Sequence, residues 1–138
     1  MEPHLTAKNL DAVLKYLPVF EKKDIRPGDW QKVSQEGLLA YNYNDIISEF
    51  IYELYSEGFI IAFNWPKWKK EGEKLIQDRR RIEKANLVTL QKLLTMHVRM
   101  ERFREGYLAS IIKSGHMRDI LKRIEAIRRK MNQKHKKS

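Results

Sequence analysis

The chain has 138 residues, a formal net charge of +10 and no cysteine. This length fits one domain with one hydrophobic core. The lack of cysteine excludes disulfides, thiolate metal sites and a cysteine nucleophile, and it agrees with a reducing compartment, so we expect a cytoplasmic protein. Because the first ten residues do not resemble a secretory signal and the longest apolar run covers only residues 59–63, we expect neither export nor a membrane partner.

The charge is unevenly distributed along the chain. Residues 1–63 contain 6 Lys or Arg and 10 Asp or Glu, whereas residues 64–138 contain 22 and 8. A basic second half favours an anionic partner, and nucleic acid, a phosphorylated ligand and an acidic protein all remain open.

The first elements are set by a helix cap and by turn residues. Thr6 predicts the start of a helix over residues 6–16, which Pro18 weakens or ends. Residues 21–35 contain a Pro-Gly turn signal and no sustained apolar period. This segment is therefore predicted to be a loop anchored by Trp30.

Four further helices are predicted from apolar periodicity and caps. They cover residues 44–57, residues 66–77, residues 86–103 and residues 105–113, and the apolar segment 59–63 is interpreted as a connector. A last helix starts at His116 and runs to about residue 131. The predicted fold is thus all-α: a compact single-domain bundle of about five or six helices over residues 1–131, with a disordered basic tail at 132–138.

One segment carries a resemblance to a known family. Residues 90–121 read LQKLLTMHVRMERFREGYLASIIKSGHMRDIL, with a signature formed by Leu93, Leu94, Thr95, Arg99, Glu101, Arg102, Phe103, Gly106 and Gly115. The segment resembles a family of small prokaryotic proteins described only as a domain of unknown function. Many members of that family have Cys where this chain has Arg104, which argues against thiol chemistry here. The resemblance implies a small, largely helical domain and no established activity, substrate or cofactor.

Ionisable residues interrupt the apolar stripe of the helix that carries this signature. His97 and Glu101 lie one turn apart, and Glu105 would continue the row if the helix ran on. We interpret them as a satisfied polar pair in the core, whereas a general base with its orienting group and a His-carboxylate metal site remain open. His116 can cap the last helix or point into a cleft shared with His97.

No sequence motif supports catalysis. The chain has no HExxH motif, no nucleophile elbow and no Gly-rich phosphate loop, so we predict no catalytic residue, no metal and no cofactor, and we favour a non-enzymatic protein. A small metal-dependent hydrolase built on His97, Glu101 and Glu105 is kept as an alternative.

Two features of the sequence favour binding of an anion. Trp65 and Trp68 stand among lysines, an arrangement typical of single-strand stacking platforms but also of core anchors. The turn before His116, followed by a basic helix, is compatible with a helix-turn-helix. The predicted anion-binding residues are Arg99, Arg102, Arg118, Lys122 and Arg123.

The leading hypothesis is therefore a non-enzymatic binding protein for an anionic partner, with nucleic acid as the first candidate. The alternative is a protein-interaction or self-associating module, in which a homo-oligomer forms through exposed aromatic residues. Its predicted patch consists of Trp30, Tyr41, Tyr43, Tyr52 and Tyr55.

Overall fold

A computed structural model describes the backbone of residues 4–136 and the side chains of residues 4–132. This part of the chain is mostly helical, as predicted, but it also contains a two-stranded antiparallel sheet, so the all-α prediction is wrong in that respect. The elements are α1 (Ala7–Leu14), α2 (Leu17–Glu21), β1 (Gly28–Lys32), β2 (Leu39–Tyr43), α3 (Asp45–Ser56), α4 (Trp65–Gln77), α5 (Arg79–Lys84), α6 (Leu87–Met100), α7 (Tyr107–Lys113) and α8 (His116–Lys136).

The first predicted helix is divided into two. Thr6 caps α1 in a reciprocal capping box, since its hydroxyl accepts from the N–H of Asn9 at 3.4 Å and the Asn9 side chain accepts from the N–H of Thr6 at 2.8 Å. α1 ends at Leu14, and Pro18 lies in the first turn of α2, where its missing N–H costs no helical hydrogen bond.

The hairpin corrects the loop predicted over residues 21–35. β1 pairs with β2 so that Gly28 lies opposite Tyr43 and Lys32 lies opposite Leu39. The side chains of β1, at residues 29–32, are all exposed, so the strand lacks the alternating apolar pattern by which a half-buried strand is recognised.

The segment after α3 is a connector without regular structure, as predicted. Gly58 adopts a φ of +85°, a conformation that favours glycine, and the next residue, Phe59, is fully buried. Two buried polar residues of α6 hold this connector: Gln91 donates to the carbonyl of Gly58 at 2.9 Å, and the hydroxyl of Thr95 accepts from the N–H of Ile61 at 2.9 Å.

The helix count in the described residues is eight rather than five or six. Besides the division of the first helix, α5 was not predicted; Asp78 caps it by accepting from the N–H of Arg80 at 3.0 Å. Asn86 caps α6 as predicted, but that helix ends at Met100, three residues before the predicted end.

The last helix forms the centre of the fold. α8 packs against α1, α2, α5, α6 and α7, and Ile120, Leu121 and Ile124 are fully buried in the single hydrophobic core. It continues to Lys136, past the predicted end at residue 131. Residues 137 and 138, the end of the predicted disordered tail, lie outside the described residues.

Candidate functional site

The loop between α6 and α7, residues 101–106, is held by the carboxylate of Glu101. This side chain accepts from the N–H of Gly106 at 2.8 Å, from the N–H of Leu108 at 2.9 Å and from the hydroxyl of Tyr43 at 2.5 Å. The Tyr43 oxygen in turn accepts from the N–H of Ala109 at 3.0 Å. Glu101 therefore caps the start of α7 and ties β2 to it.

Two effects keep Tyr43 in the protonated state that this contact needs. Burial and the hydrogen bond to Glu101 raise the pKa of Tyr43 well above its ordinary value. The phenol therefore remains a donor to the carboxylate over the physiological pH range.

Gly106 closes the loop at its other end. Its φ is +85°, and a Cβ at this position would lie 2.8 Å from the Trp30 ring. Both the backbone conformation and the close approach of the ring require glycine. Within the signature, Glu101 and Gly106 thus shape the loop.

Two buried histidines and a half-buried tyrosine form a cluster next to this loop. His97 is fully buried, and its Nδ1 lies 3.1 Å from the hydroxyl of Tyr107. The ring of His116 meets that of His97 edge to face at a centroid distance of 5.0 Å, and neither Nε2 has a hydrogen-bond partner among the described residues.

The environment keeps both imidazoles neutral. Burial, with a smaller effect of His116, holds the pKa of His97 well below its ordinary value. Burial likewise lowers the pKa of His116 to about 4, against an opposing effect of Asp119.

The structure does not bring the predicted polar pair together. His97 contacts Tyr107 and His116, whereas Glu101 binds Tyr43 and the start of α7. Glu105 is exposed on the loop because α6 ends at Met100, so it does not continue the predicted row. Within the described part of the chain, no three His, Asp or Glu side chains are grouped so that they could hold a metal ion.

The same loop presents an exposed aromatic ring between two arginines. Phe103 is 78% exposed, and its ring centroid lies 5.9 Å from that of Trp65 at the start of α4. Arg102 and Arg104 on either side of it are exposed, as is Lys67 on α4. We call these five residues the aromatic–basic surface. Phe103 was predicted to be the last residue of an amphipathic helix, so its exposure could not be expected from the sequence.

The predicted anion-binding residues do not form one surface. Arg102 belongs to the aromatic–basic surface, and Arg99 is half-buried in the last turn of α6. On α8, Arg123 donates to the carbonyl of Ala85 at 2.8 Å and so joins α8 to the end of α5. The helix that would be the recognition helix of the predicted helix-turn-helix, α8, packs against α1, α2, α5, α6 and α7, and Lys122 on it is exposed.

The predicted aromatic residues are also divided. Trp68 packs against the core, with its ring 6.0 Å from that of Phe63. Tyr41 and Tyr43 are half-buried at the junction of hairpin and loop. The exposed members of the predicted patch are Trp30, Tyr52 and Tyr55.

The fold and the site define a mostly helical protein in which the loop held by Glu101 presents an aromatic ring among cations. The chain belongs to a family of unknown function, DUF6508, whose family model matches residues 5–130. This confirms the resemblance found in the sequence. No curated protein and no solved structure shows significant similarity to the chain. None of the helices in the described residues is both long and apolar enough to cross a membrane.

Proposed function

We propose that this protein binds single-stranded nucleic acid through the aromatic–basic surface. The observation that carries the proposal is the exposed ring of Phe103, next to Trp65 and between Arg102 and Arg104. Unpaired bases stack on such rings, which contributes about 1–3 kcal/mol per base, while the neighbouring cations contact phosphates.

The fixed shape of the loop supports this proposal. Glu101 holds the ends of loop 101–106 through Gly106 and Leu108, so the Phe103 ring is presented by an ordered segment. A preordered segment loses less conformational freedom on binding. The exposed ring is also costly for an unbound protein, since full burial of such a side chain contributes about 1.5–3 kcal/mol.

Single strands fit the surface better than a duplex. Stacking on Phe103 requires a base that is not already stacked and paired. Reading a duplex through the major groove requires an exposed helix or strand pair, whereas the aromatic–basic surface is formed by a loop and the start of α4. The net charge of +10 favours the approach of either nucleic acid, so it does not discriminate between them.

The test is fluorescence anisotropy of labelled 12-nucleotide single-stranded DNA and RNA, and of a duplex, across a salt series. We expect Phe103→Ala to weaken single-strand binding by roughly 5- to 150-fold, as the loss of one stacked base predicts. Arg102→Gln should weaken single-strand binding less than Phe103→Ala does. It should also lower the slope of log affinity against log salt concentration by about one, the loss of one phosphate contact.

Arg129→Gln is the matched charge control. Arg129 is an exposed residue of α8 that pairs with Glu125 of the same helix at 3.0 Å. Its replacement removes the same charge away from the loop, so binding should change less than twofold. An absence of binding near physiological salt, or an equal loss in Arg129→Gln and Arg102→Gln, would refute the proposal.

The hairpin supports a second candidate function, self-association. Val33, Leu38 and Leu39 at its distal end are each more than half exposed. Exposed apolar residues on a short two-stranded sheet are typical of contacts between copies of a chain. Light scattering should then show a dimer that Leu38→Lys converts to monomer, whereas a wild-type protein that stays monomeric at all concentrations excludes this candidate.

A further inference from the structure

A second basic region lies away from the aromatic–basic surface, where residues 20–26 face the turn between α7 and α8. The two segments line an open pocket of about 570 Å³. We propose that this basic pocket binds the phosphate group of a small phosphate ester or of a nucleic-acid end. Its cationic lining residues are Lys22, Lys23, Arg26, Lys113 and Arg118.

These cations come from three separate parts of the chain. The first three follow α2, Lys113 ends α7, and Arg118 lies in the first turn of α8. Only Glu21 and Asp24 among the lining residues carry negative charge. An excess of like charges in one concave site is unfavourable in the unbound protein, and a bound anion relieves it.

The start of α8 lies at the edge of the pocket. Ser114 and Gly115, which line it, precede this 21-residue helix. Gly115 has no side chain with which to cap the helix, and in the first turn the hydroxyl of Ser114 accepts only from the N–H of His116, at 3.3 Å. The N–H groups of Ser114 and Gly115 themselves donate to the carbonyls of Ser110 and Ile112, so the helix start contributes the positive end of its dipole to the pocket.

Arg118 is positioned over the same helix start. A Cβ at Gly115 would lie 2.7 Å from its guanidinium, so the absence of a side chain at 115 makes room for the arginine. The Nε of Arg118 is buried and has no hydrogen-bond partner among the described residues. Its Nη2 lies 3.5 Å from the carboxylate of Asp119, which also pairs with Arg79 at 3.3 Å.

A phosphate group matches this set of donors. Its oxygens can accept from a guanidinium in bidentate fashion and from ammonium groups at the same time. The pocket volume lies in the range of sites for small ligands, so there is room for more than the phosphate itself.

The experiment is a titration of the full chain with inorganic pyrophosphate, followed by calorimetry and by the amide resonances of Ser114 and Gly115. We expect saturable binding that weakens with salt, with shifts centred on those two amides. Arg118→Gln should weaken binding by about tenfold or more, since it removes a charge-assisted contact. Lys122→Gln, one turn further along α8 and outside this pocket, should leave the affinity within twofold.

A second variant separates loss of binding from loss of fold. Lys23 is exposed and follows α2, so Lys23→Gln should weaken pyrophosphate binding several-fold without changing the melting temperature. Phe103→Ala should bind pyrophosphate as the wild type does, which makes the result independent of the proposed nucleic-acid surface. No saturable binding, or equal effects of Arg118→Gln and Lys122→Gln, would overturn the proposal.

Competition with oligonucleotides shows whether the bound phosphate belongs to a nucleic-acid end or to a small phosphate ester. If a 5′-phosphorylated 12-mer displaces pyrophosphate at lower concentration than the 5′-hydroxyl form, the pocket takes a nucleic-acid end. If pyrophosphate binds and neither 12-mer displaces it, the pocket takes a free small phosphate ester. Either result supports a phosphate site.

Discussion

The carboxylate of Glu101 accepts hydrogen bonds from β2 and from the start of α7, and these bonds fix the path of the chain after α6. Its carboxylate accepts from Tyr43, Gly106 and Leu108, so one side chain fixes both the loop and the position of the hairpin. We call these three hydrogen bonds the clamp, and Phe103 lies in the loop that they hold.

Removing the carboxylate of Glu101 should lower the stability of the protein. Glu101→Ala leaves two N–H groups and a phenol without their acceptor, and we expect the free energy of unfolding to fall by about 2–4 kcal/mol in urea denaturation. Tyr43→Phe should cost about 1 kcal/mol, and the two changes should not be additive because they remove a shared hydrogen bond. Glu105→Ala, an exposed change in the same loop, should stay within about 0.5 kcal/mol. Equal effects of Glu101→Ala and Glu105→Ala would contradict the clamp.

Gly106 allows a second test of the loop. Gly106→Ala places a methyl group in a backbone conformation with φ of +85° and 2.8 Å from the Trp30 ring, so it should destabilise the protein by about 1–3 kcal/mol. Gly37→Ala has a similar φ of +90° but no atom within 4 Å of the added methyl. Its loss of stability should therefore come from the backbone conformation alone. Both costs can be measured by thermal unfolding. The excess at Gly106 should disappear when Trp30 is replaced by alanine; if it persists, the ring contact is not its cause.

The buried histidines make stability depend on pH. Above their ordinary pKa of about 6.5, His97 and His116 are neutral in both folded and unfolded chains, so they contribute no pH dependence there. As the pH falls below that value, the unfolded chain takes up protons while the folded chain does not, because burial lowers the pKa of His116 to about 4 and that of His97 well below its ordinary value. Stability should therefore fall between about pH 6.5 and 4, by up to about 3 kcal/mol for His116.

Urea unfolding at pH 7, 6, 5 and 4.5 measures this dependence. His116→Gln should flatten the pH slope whatever its effect on stability at pH 7. His4→Gln, at an exposed histidine, should leave the slope as in the wild type. A His116→Gln slope equal to that of the wild type would show that this imidazole is not the group that resists protonation.

At the residue level, part of the site was predictable. His97 was predicted to be buried because it lies on the apolar stripe of α6, and burial follows from helical periodicity alone. Its contacts with Tyr107 and His116 were not predictable, since they depend on where α7 and α8 begin in space. The predicted partner, Glu101, turns to the backbone of α7 instead, because the helix ends one residue before it.

At the level of elements, caps and apolar stripes predicted α3, α4, α6 and α8 well. Asn86 accepts from the N–H of Thr89 as predicted, whereas Asn64, which caps α4 by accepting from the N–H of Lys67, was not predicted. The hairpin escaped prediction because its stability comes from pairing and from contacts of Trp30 and Tyr43 with loop 101–106, which lies some 60 residues away in the sequence. The division of α1 from α2 depends on a similar tertiary fit.

The position of α8 changes the interpretation of its basic residues. The sequence presents a helix with Arg118, Lys122 and Arg123, but packing assigns each a different environment. Arg118 lines the basic pocket, Arg123 bonds to the end of α5, and Lys122 is exposed. A spacing of four residues along a helix therefore does not imply one common binding surface.

Across the whole molecule, the excess positive charge is distributed over at least two structurally different places. The aromatic–basic surface combines cations with the exposed ring of Phe103, whereas the basic pocket combines cations with the start of a long helix. The first suits bases and phosphates together, and the second suits a phosphate group. The net charge alone could not distinguish these two arrangements.

The central claim is that nucleic acid binds the folded surface around Phe103. It is tested most directly by mapping amide shifts in two-dimensional NMR spectra during titration with an unlabelled single-stranded 12-mer at physiological salt. We predict saturable shifts centred on Trp65, Lys67 and residues 102–106, together with the indole resonance of Trp65. Shifts confined to residues 128–136 at the basic end of α8, or none at all, would contradict the account.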